Sequence, residues 1–215
     1  MNLVALCDFD GTVTKIDTAE WVLAKFAQGD WRRFERQFEK REIKLEECLN
    51  KQFSLVKISE EQILEKLKTV VTFRPNFKKF GEFCRQNNIP LIIVSAGLDF
   101  VIKYFLEAND CLDLVEVCAA KTTFSPEGIK FDFPALFDDS SDNFKHDMVK
   151  YYKSQNMRVM YIGDGSADYA GAKDADFAFV IEGSRLAKLF KTYEIPCRSI
   201  SDFQEIIEDI RKIEP

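Results

Sequence analysis

Histidine is nearly missing: His146 is the one histidine among 215 residues. That excludes a multi-histidine zinc site and argues against a Ser-His-Asp hydrolase. Paired cysteines are missing too. The six cysteines stand at 7, 48, 84, 111, 118 and 197 with no CxxC spacing, and a chain of this length does not need disulfide staples. They read as reduced, mostly buried thiols. Long apolar runs are absent, and none approaches the ~18 residues of a membrane span. Leu3–Cys7 is too short for a signal-peptide core, and Asp8 and Asp10 follow it at once. A basic excess is also lacking. Acidic residues outnumber basic ones by 36 to 30, for a net charge of -6, which argues against nucleic acid or an anionic membrane as a partner. Together these absences predict a soluble cytoplasmic protein; a monomer or homodimer is expected, and no feature of the sequence decides between them.

What is present is enough to fold. At 46% hydrophobic, the chain can bury a core of one or two domains. Leu3–Cys7 reads as a strand buried on both faces, ending at the turn-like Asp8-Phe9-Asp10-Gly11-Thr12. Residues 15–73 then read as helices only. Trp21, Val22 and Phe26 share one helical face, and Trp31, Phe34 and Phe38 share another. Leu45, Leu49, Phe53 and Val56 continue the pattern, which Ile63, Leu64, Leu67 and Val71 close. After Arg74-Pro75, strands and helices alternate. Leu91–Val94 is a second buried strand, running into Ser95-Ala96-Gly97. A strand near 115–119 and a β-hairpin over 121–133 follow. Val159–Ile162 runs into Gly163-Asp164-Gly165, and strands at 177–181 and 196–200 alternate with helices to the end. The expected fold is α/β: a Rossmann-like parallel sheet core, residues 1–14 and 74–215, with an inserted small α-helical cap, residues 15–73.

In open α/β sheets, ligands bind beyond the carboxyl ends of the strands. Three predicted strands end in polar loops there: Asp8/Asp10, Ser95, and Asp164/Asp168. Converging carboxylates repel one another and lose solvation, and a hard divalent cation resolves both costs. Aspartates at strand ends also serve as plain turn and N-cap residues. Ser95 and the N–H groups after it make an anion site, or merely a helix cap. Lys145 would neutralise phosphate, or simply face solvent. The arginines at 32, 33, 36 and 41 read as a solvated face, and His146 as a surface residue at a helix start.

The four pieces gain meaning in order. Asp-Phe-Asp-Gly-Thr at 8–12, a hydrophobic strand before Ser95, an isolated Lys145, and Gly-Asp-Gly-x-x-Asp at 163–168 resemble the motifs of the haloacid dehalogenase (HAD) superfamily, end to end. The resemblance implies Asp8 as a nucleophile that becomes a phospho-aspartate. It implies Asp10 as the acid that protonates the leaving alcohol and then the base that activates water. Ser95, the N–H of Ala96 and Lys145 would hold the phosphoryl oxygens. Asp8, the carbonyl of Asp10, Asp164 and Asp168 would hold Mg2+, with Asp168 on the metal directly or through water. The substrate would be a small-molecule phosphate ester.

The position of the cap resembles the phosphoserine phosphatase-like branch of that superfamily. The segment from Lys44 to Leu55 resembles both true phosphoserine phosphatases and the methionine-salvage phosphatases of hydroxyketo-methylthiopentenyl phosphate. Gln52 stands where the former carry a carboxylate-binding arginine, and Asp17 where they carry a glutamate. The spacing from Lys145 to Asp164, and the run Ala172–Asp176, look closer to the methionine-salvage enzymes. Alternatives are a phosphoserine phosphatase proper, a phosphotransferase or phosphomutase sharing the intermediate, a receiver-type signalling module, and an inactive scaffold. A receiver has no use for the cap or for an Asp8-x-Asp10 pair. The occupied catalytic positions speak against a scaffold.

Overall fold

The computed structural model describes residues 2–213. The main sheet has six parallel strands in the order β3-β2-β1-β6-β7-β8. They are β1 (Leu3–Cys7), β2 (Leu91–Ser95), β3 (Glu116–Ala119), β6 (Arg158–Gly163), β7 (Phe177–Ile181) and β8 (Arg198–Ile200). β4 (Lys121–Ser125) and β5 (Gly128–Asp132) form a separate antiparallel hairpin. The sheet is the mostly parallel, Rossmann-like core that the sequence predicts.

Period-two alternation splits β1 between two apolar layers. Leu3, Ala5 and Cys7 face one side with α5 (Phe77–Gln86), α6 (Asp99–Ala108) and α10 (Phe203–Ile213). Val4 and Leu6 face the other with α7 (Phe144–Ser154), α8 (Tyr169–Asp174) and α9 (Arg185–Thr192). Burial on both faces explains why β1, β2 and β6 read as continuous apolar runs.

Between β1 and α5 lie four short helices: α1 (Thr18–Phe26), α2 (Arg32–Glu39), α3 (Leu45–Phe53) and α4 (Glu60–Leu67). Asp17 caps α1 by accepting from the Glu20 N–H, and Ser59 and Gln62 form a capping box on α4. The two chain crossings at the base of this insert are tied together. Thr14 and Phe73 form an antiparallel bridge, flanked by Lys15 N–H to Thr72 O at 2.9 Å and Arg74 N–H to Val13 O at 2.7 Å. The Arg74 guanidinium donates to the carbonyls of Gly11 and Thr12. The far side of the insert rests on the hairpin. Asn50 on α3 pairs with both backbone groups of Phe131, and the Phe53 and Phe131 rings meet edge-on at 4.9 Å.

Strand order decides where the site lies. β1 sits between β2 and β6, and the chain reverses its direction of winding there. Such a switch point opens a crevice at the carboxyl ends of the strands. Among the described residues, no helix is long and apolar enough to cross a membrane.

Candidate active site

The three polar loops expected from sequence meet at that switch point. Asp8 leaves β1 with its N–H still bonded to Ile162 O of β6, at 2.9 Å. Ser95 ends β2, and Asp164 follows β6. Lys145 arrives from the first turn of α7. Asn143 caps that helix by accepting from the His146 N–H at 3.0 Å, and its amide donates to Ala167 O at 3.0 Å. One asparagine thus ties the start of α7 to the loop that carries Asp164 and Asp168.

Lys145 is the hub. Its buried ammonium lies 2.7 Å from Asp8 Oδ1 and 2.7 Å from Asp168 Oδ1. Burial works against the charge, but Asp168 and Asp8 outweigh it and hold the lysine protonated above its ordinary range. Asp168 is 1% exposed and accepts from four donors. Oδ1 takes Lys145 and, at 2.8 Å, the Tyr161 hydroxyl. Oδ2 takes the N–H groups of Asp164 and Gly165 at 3.2 and 2.9 Å. Burial pushes the Tyr161 phenol well above its usual range, so it stays a donor.

Asp8 and Asp164 are less well compensated. Burial, then repulsion from Asp168, raises Asp8 despite the pull of Lys145. The same two causes push Asp164 up to about 7. Thr12 donates to Asp164 Oδ1 at 3.2 Å. Gly11 sits at φ +74°, and a Cβ there would overlap the Asp164 carboxylate, so only glycine fits.

Asp10 is buried apart from the lysine. Its Oδ1 accepts from both the Thr18 N–H, at 3.1 Å, and the Thr18 hydroxyl. Its Oδ2 lies 3.4 Å from Ser95 Oγ, which itself accepts from the Gly97 N–H at 3.0 Å. A Cβ on Gly97 would strike Asp10 Oδ2. Burial raises Asp10, and the Thr18 bonds oppose that rise.

These groups, with Ala96, floor a crevice of about 280 Å³. Its roof comes from the insert: Leu23, Trp31, Phe38, Leu45, Leu49 and Gln52. Gln52 is buried, its amide 3.5 Å from Trp31 O. Asp17 also lines the crevice but is exposed. Of the aromatic residues singled out in the insert, Trp31 and Phe38 reach the crevice, while Trp21 packs against the core and the Phe26 ring.

The arginines at 32, 33, 36 and 41 are exposed, as expected, with Arg32 on Glu20 and Arg36 on Asp30. His146 departs from expectation. It is buried, not on the surface, with Nε2 2.9 Å from Asp174 and Nδ1 accepting from the Asp142 N–H. The helix turns it inward, one position from Lys145, to brace the loop ahead of α7. Thr12, Thr18, Tyr161 and Arg185 are site residues that sequence reasoning missed. Arg185 lines the crevice and pairs with Glu35 and Glu39 of α2. A polar atom inside the apolar run Val159–Ile162 was the one signal available for Tyr161.

A family model, haloacid dehalogenase-like hydrolase, matches residues 5–173. The chain belongs to the haloacid dehalogenase-like hydrolases. A 2-hydroxy-3-keto-5-methylthiopentenyl-1-phosphate phosphatase from Brevibacillus brevis is 31% identical over 99% of this chain and 97% of its own. Pdp3-interacting factor 1 of Schizosaccharomyces pombe is 27% identical over 99% and 96%. Among solved structures, a phospho-aspartyl intermediate analogue of phosphoserine phosphatase superposes with TM-score 0.70 at 19% identity, covering 95% of this chain and 97% of that one. At that identity the likeness speaks for the fold. Family and relatives make the chain a HAD-type phosphatase.

Proposed function

We propose that this phosphatase is a magnesium-dependent phosphomonoesterase working through a phospho-aspartate on Asp8. Residues 15–73 act as its cap, over a core of residues 1–14 and 74–215. The observation that carries the reading is the Lys145 ammonium, 2.7 Å from both Asp8 and Asp168 where the Asp164 carboxylate also converges.

The donor set fits magnesium. Asp8, Asp164 and Asp168 bring carboxylate oxygens within 4.8 Å of one another, with no imidazole or thiol in the cluster. Asp8, Asp164 and Asp168 converge beside a single ammonium, and burial and mutual repulsion raise Asp8 and Asp164, costs that a divalent cation would offset. Asp8, Asp164 and the Asp10 carbonyl would hold the ion. Asp168, already engaged by four donors, would reach it through water. When bound, magnesium supplies Lewis-acid neutralisation of the phosphoryl oxygens.

The chain's own residues do the rest. A carboxylate oxygen of Asp8 attacks phosphorus, the ester P–O bond breaks, and Asp10 gives its proton to the departing alkoxide. Burial keeps that proton on Asp10 at higher pH than usual. Asp10 then takes a proton from water as the water oxygen attacks phosphorus, and the Asp8 O–P bond breaks. Lys145, Ser95 and the Ala96 N–H steady the phosphoryl oxygens through both steps.

The proposed substrate has a neutral, partly apolar remainder. The roof is apolar, and the carboxylates of Asp17, Glu20 and Glu35 also face the crevice. Lys145 and Arg185 are the cations among the described lining residues, and Arg185 is held by Glu35 and Glu39. A methylthio tail of the kind named for the Brevibacillus brevis relative suits such a roof. The test is phosphate release across a metabolite panel with magnesium, run with and without an acceptor alcohol. Release of inorganic phosphate, highest on an ester with an uncharged tail, is expected. No release from any ester overturns the reading, and transfer to the alcohol in place of release makes the enzyme a phosphotransferase.

A further inference from the structure

Tyr161 belongs to the apolar side of β6 by position, yet its hydroxyl ends in the active site. It is fully buried, packed with Val149 and Ala172 under α7 and α8. The other aromatic residues among the largest fully buried side chains described are phenylalanines: 9, 53, 77, 80, 144, 190 and 203. A phenylalanine would fill the same volume without burying a polar group, whose desolvation is a cost unless it is hydrogen-bonded. The hydroxyl spends its bond on one atom, Asp168 Oδ1, at 2.8 Å. That oxygen also receives Lys145, whose ammonium lies 2.7 Å from the nucleophile Asp8.

We infer that Tyr161 is a positioning residue: its hydroxyl fixes Asp168, and Asp168 fixes the Lys145 ammonium against Asp8. Two donors on Oδ1 and two backbone N–H groups on Oδ2 leave the Asp168 carboxylate one orientation. Without the phenol, Oδ1 keeps one flexible partner on a four-carbon stem, and the carboxylate, still anchored through Oδ2 by its two backbone N–H groups, can tilt and carry the ammonium with it. Lys145 would then drift from the line it must hold as charge develops on the phosphoryl oxygens. Small displacements of this kind matter most in the transition state and little in substrate binding. The inference rests on the roles of Asp8 and Lys145 proposed above.

Tyr161→Phe is the test, since phenylalanine fits an apolar layer that already uses it at Phe144 and Phe190. With magnesium and p-nitrophenyl phosphate, kcat should fall about tenfold while KM stays within about twofold, and inhibition by vanadate should weaken by the same factor as kcat. A crystal structure of the variant should show the Lys145 Nζ contact to Asp8 Oδ1 lost or lengthened. Unchanged kcat and vanadate inhibition, or the lysine unmoved in the variant crystal, overturns the assignment. So does a loss confined to melting temperature. If the wild-type protein itself fails to turn over, the proposed function fails, and the lysine position in the variant crystal still decides the role of Tyr161.

Discussion

Thr18, the first residue of α1, donates both its backbone N–H and its hydroxyl to Asp10 Oδ1. The first helix of the insert therefore holds the side chain that the proposed mechanism uses as acid and base. Both bonds favour the carboxylate over the carboxylic acid. Thr18→Val removes the hydroxyl and keeps the shape. Asp10 should then hold its proton to higher pH and serve less well as the base for water. We expect kcat to drop about tenfold, the acidic limb of kcat to move to higher pH, and Thr18→Ser to restore most of the activity. A pH–rate profile of Thr18→Val that overlays the wild type would separate Thr18 from the chemistry.

Asp8→Asn should abolish turnover without unfolding the protein. Burial and Asp168 make a charge on Asp8 unfavourable in the metal-free fold, so a neutral amide there relieves repulsion. The melting temperature without metal should be equal to or above that of the wild type. Turnover above about a hundredth of wild type would mean that another group attacks phosphorus, since losing an essential nucleophile costs several orders of magnitude.

Much of this was legible in the sequence, for a physical reason. β1, β2 and β6 are buried on both faces, so their apolar runs stand out, and the polar groups at their carboxyl ends mark the crevice. Spacing also gave the helices of the insert, through faces such as Ile63 and Leu67 on α4. Contacts across long separations were not legible. Thr12 meets Asp164 across 152 residues, and Arg185 meets Glu35 across 150. His146 was misread because solvation cannot be judged from a helix start when the following loop folds back over it.

Asp164, pushed up to about 7 by burial and by Asp168, gives magnesium binding a pH dependence. A proton and the metal compete for the same carboxylate, so the apparent magnesium affinity should weaken as pH falls below about 7. The sign for stability follows from linkage. A folded value above the ordinary 3.8 means that the metal-free fold binds more protons than the unfolded chain between those two values. Its stability therefore falls as pH rises through that window. Magnesium should raise the melting temperature more at about pH 8 than at about pH 6, and EDTA should abolish activity reversibly. Equal shifts at both pH values, or full activity after thorough chelation, would place the ion elsewhere or nowhere.

The cysteines offer a check on the core. Burial pushes the Cys48 and Cys84 thiols up to about 12, and Cys7 is buried as well. The thiolate is the reactive form, so these thiols should resist alkylation at about pH 8. Cys197 is exposed and Cys118 half-buried. With an aromatic disulfide reagent, one thiol should react quickly in the native protein and all six cysteines in denaturant. Fast reaction of Cys48 would mean that the roof of the crevice opens widely in solution.

L-phosphoserine should be a poor substrate. Its carboxylate needs a compensating cation in an enclosed site, best supplied by a bidentate arginine. At the position where the resemblance places that arginine, this chain has Gln52, buried in the roof with its amide turned toward Trp31 O. Nearby, Asp17, Glu20 and Glu35 would repel a carboxylate, and Arg185 is engaged by Glu35 and Glu39. A hydrogen bond to a charged group contributes roughly 1.5–3 kcal/mol, so its absence should lower kcat/KM about ten- to a hundredfold. Gln52→Arg should raise kcat/KM for L-phosphoserine and lower it for an ester with an apolar tail, because the new guanidinium displaces that tail from the Leu45 and Leu49 side of the roof. The measurement is kcat/KM for both esters on both proteins. Were L-phosphoserine the better substrate of the unmodified protein, the crevice would be binding a carboxylate through Arg185, and the enzyme would be a phosphoserine phosphatase.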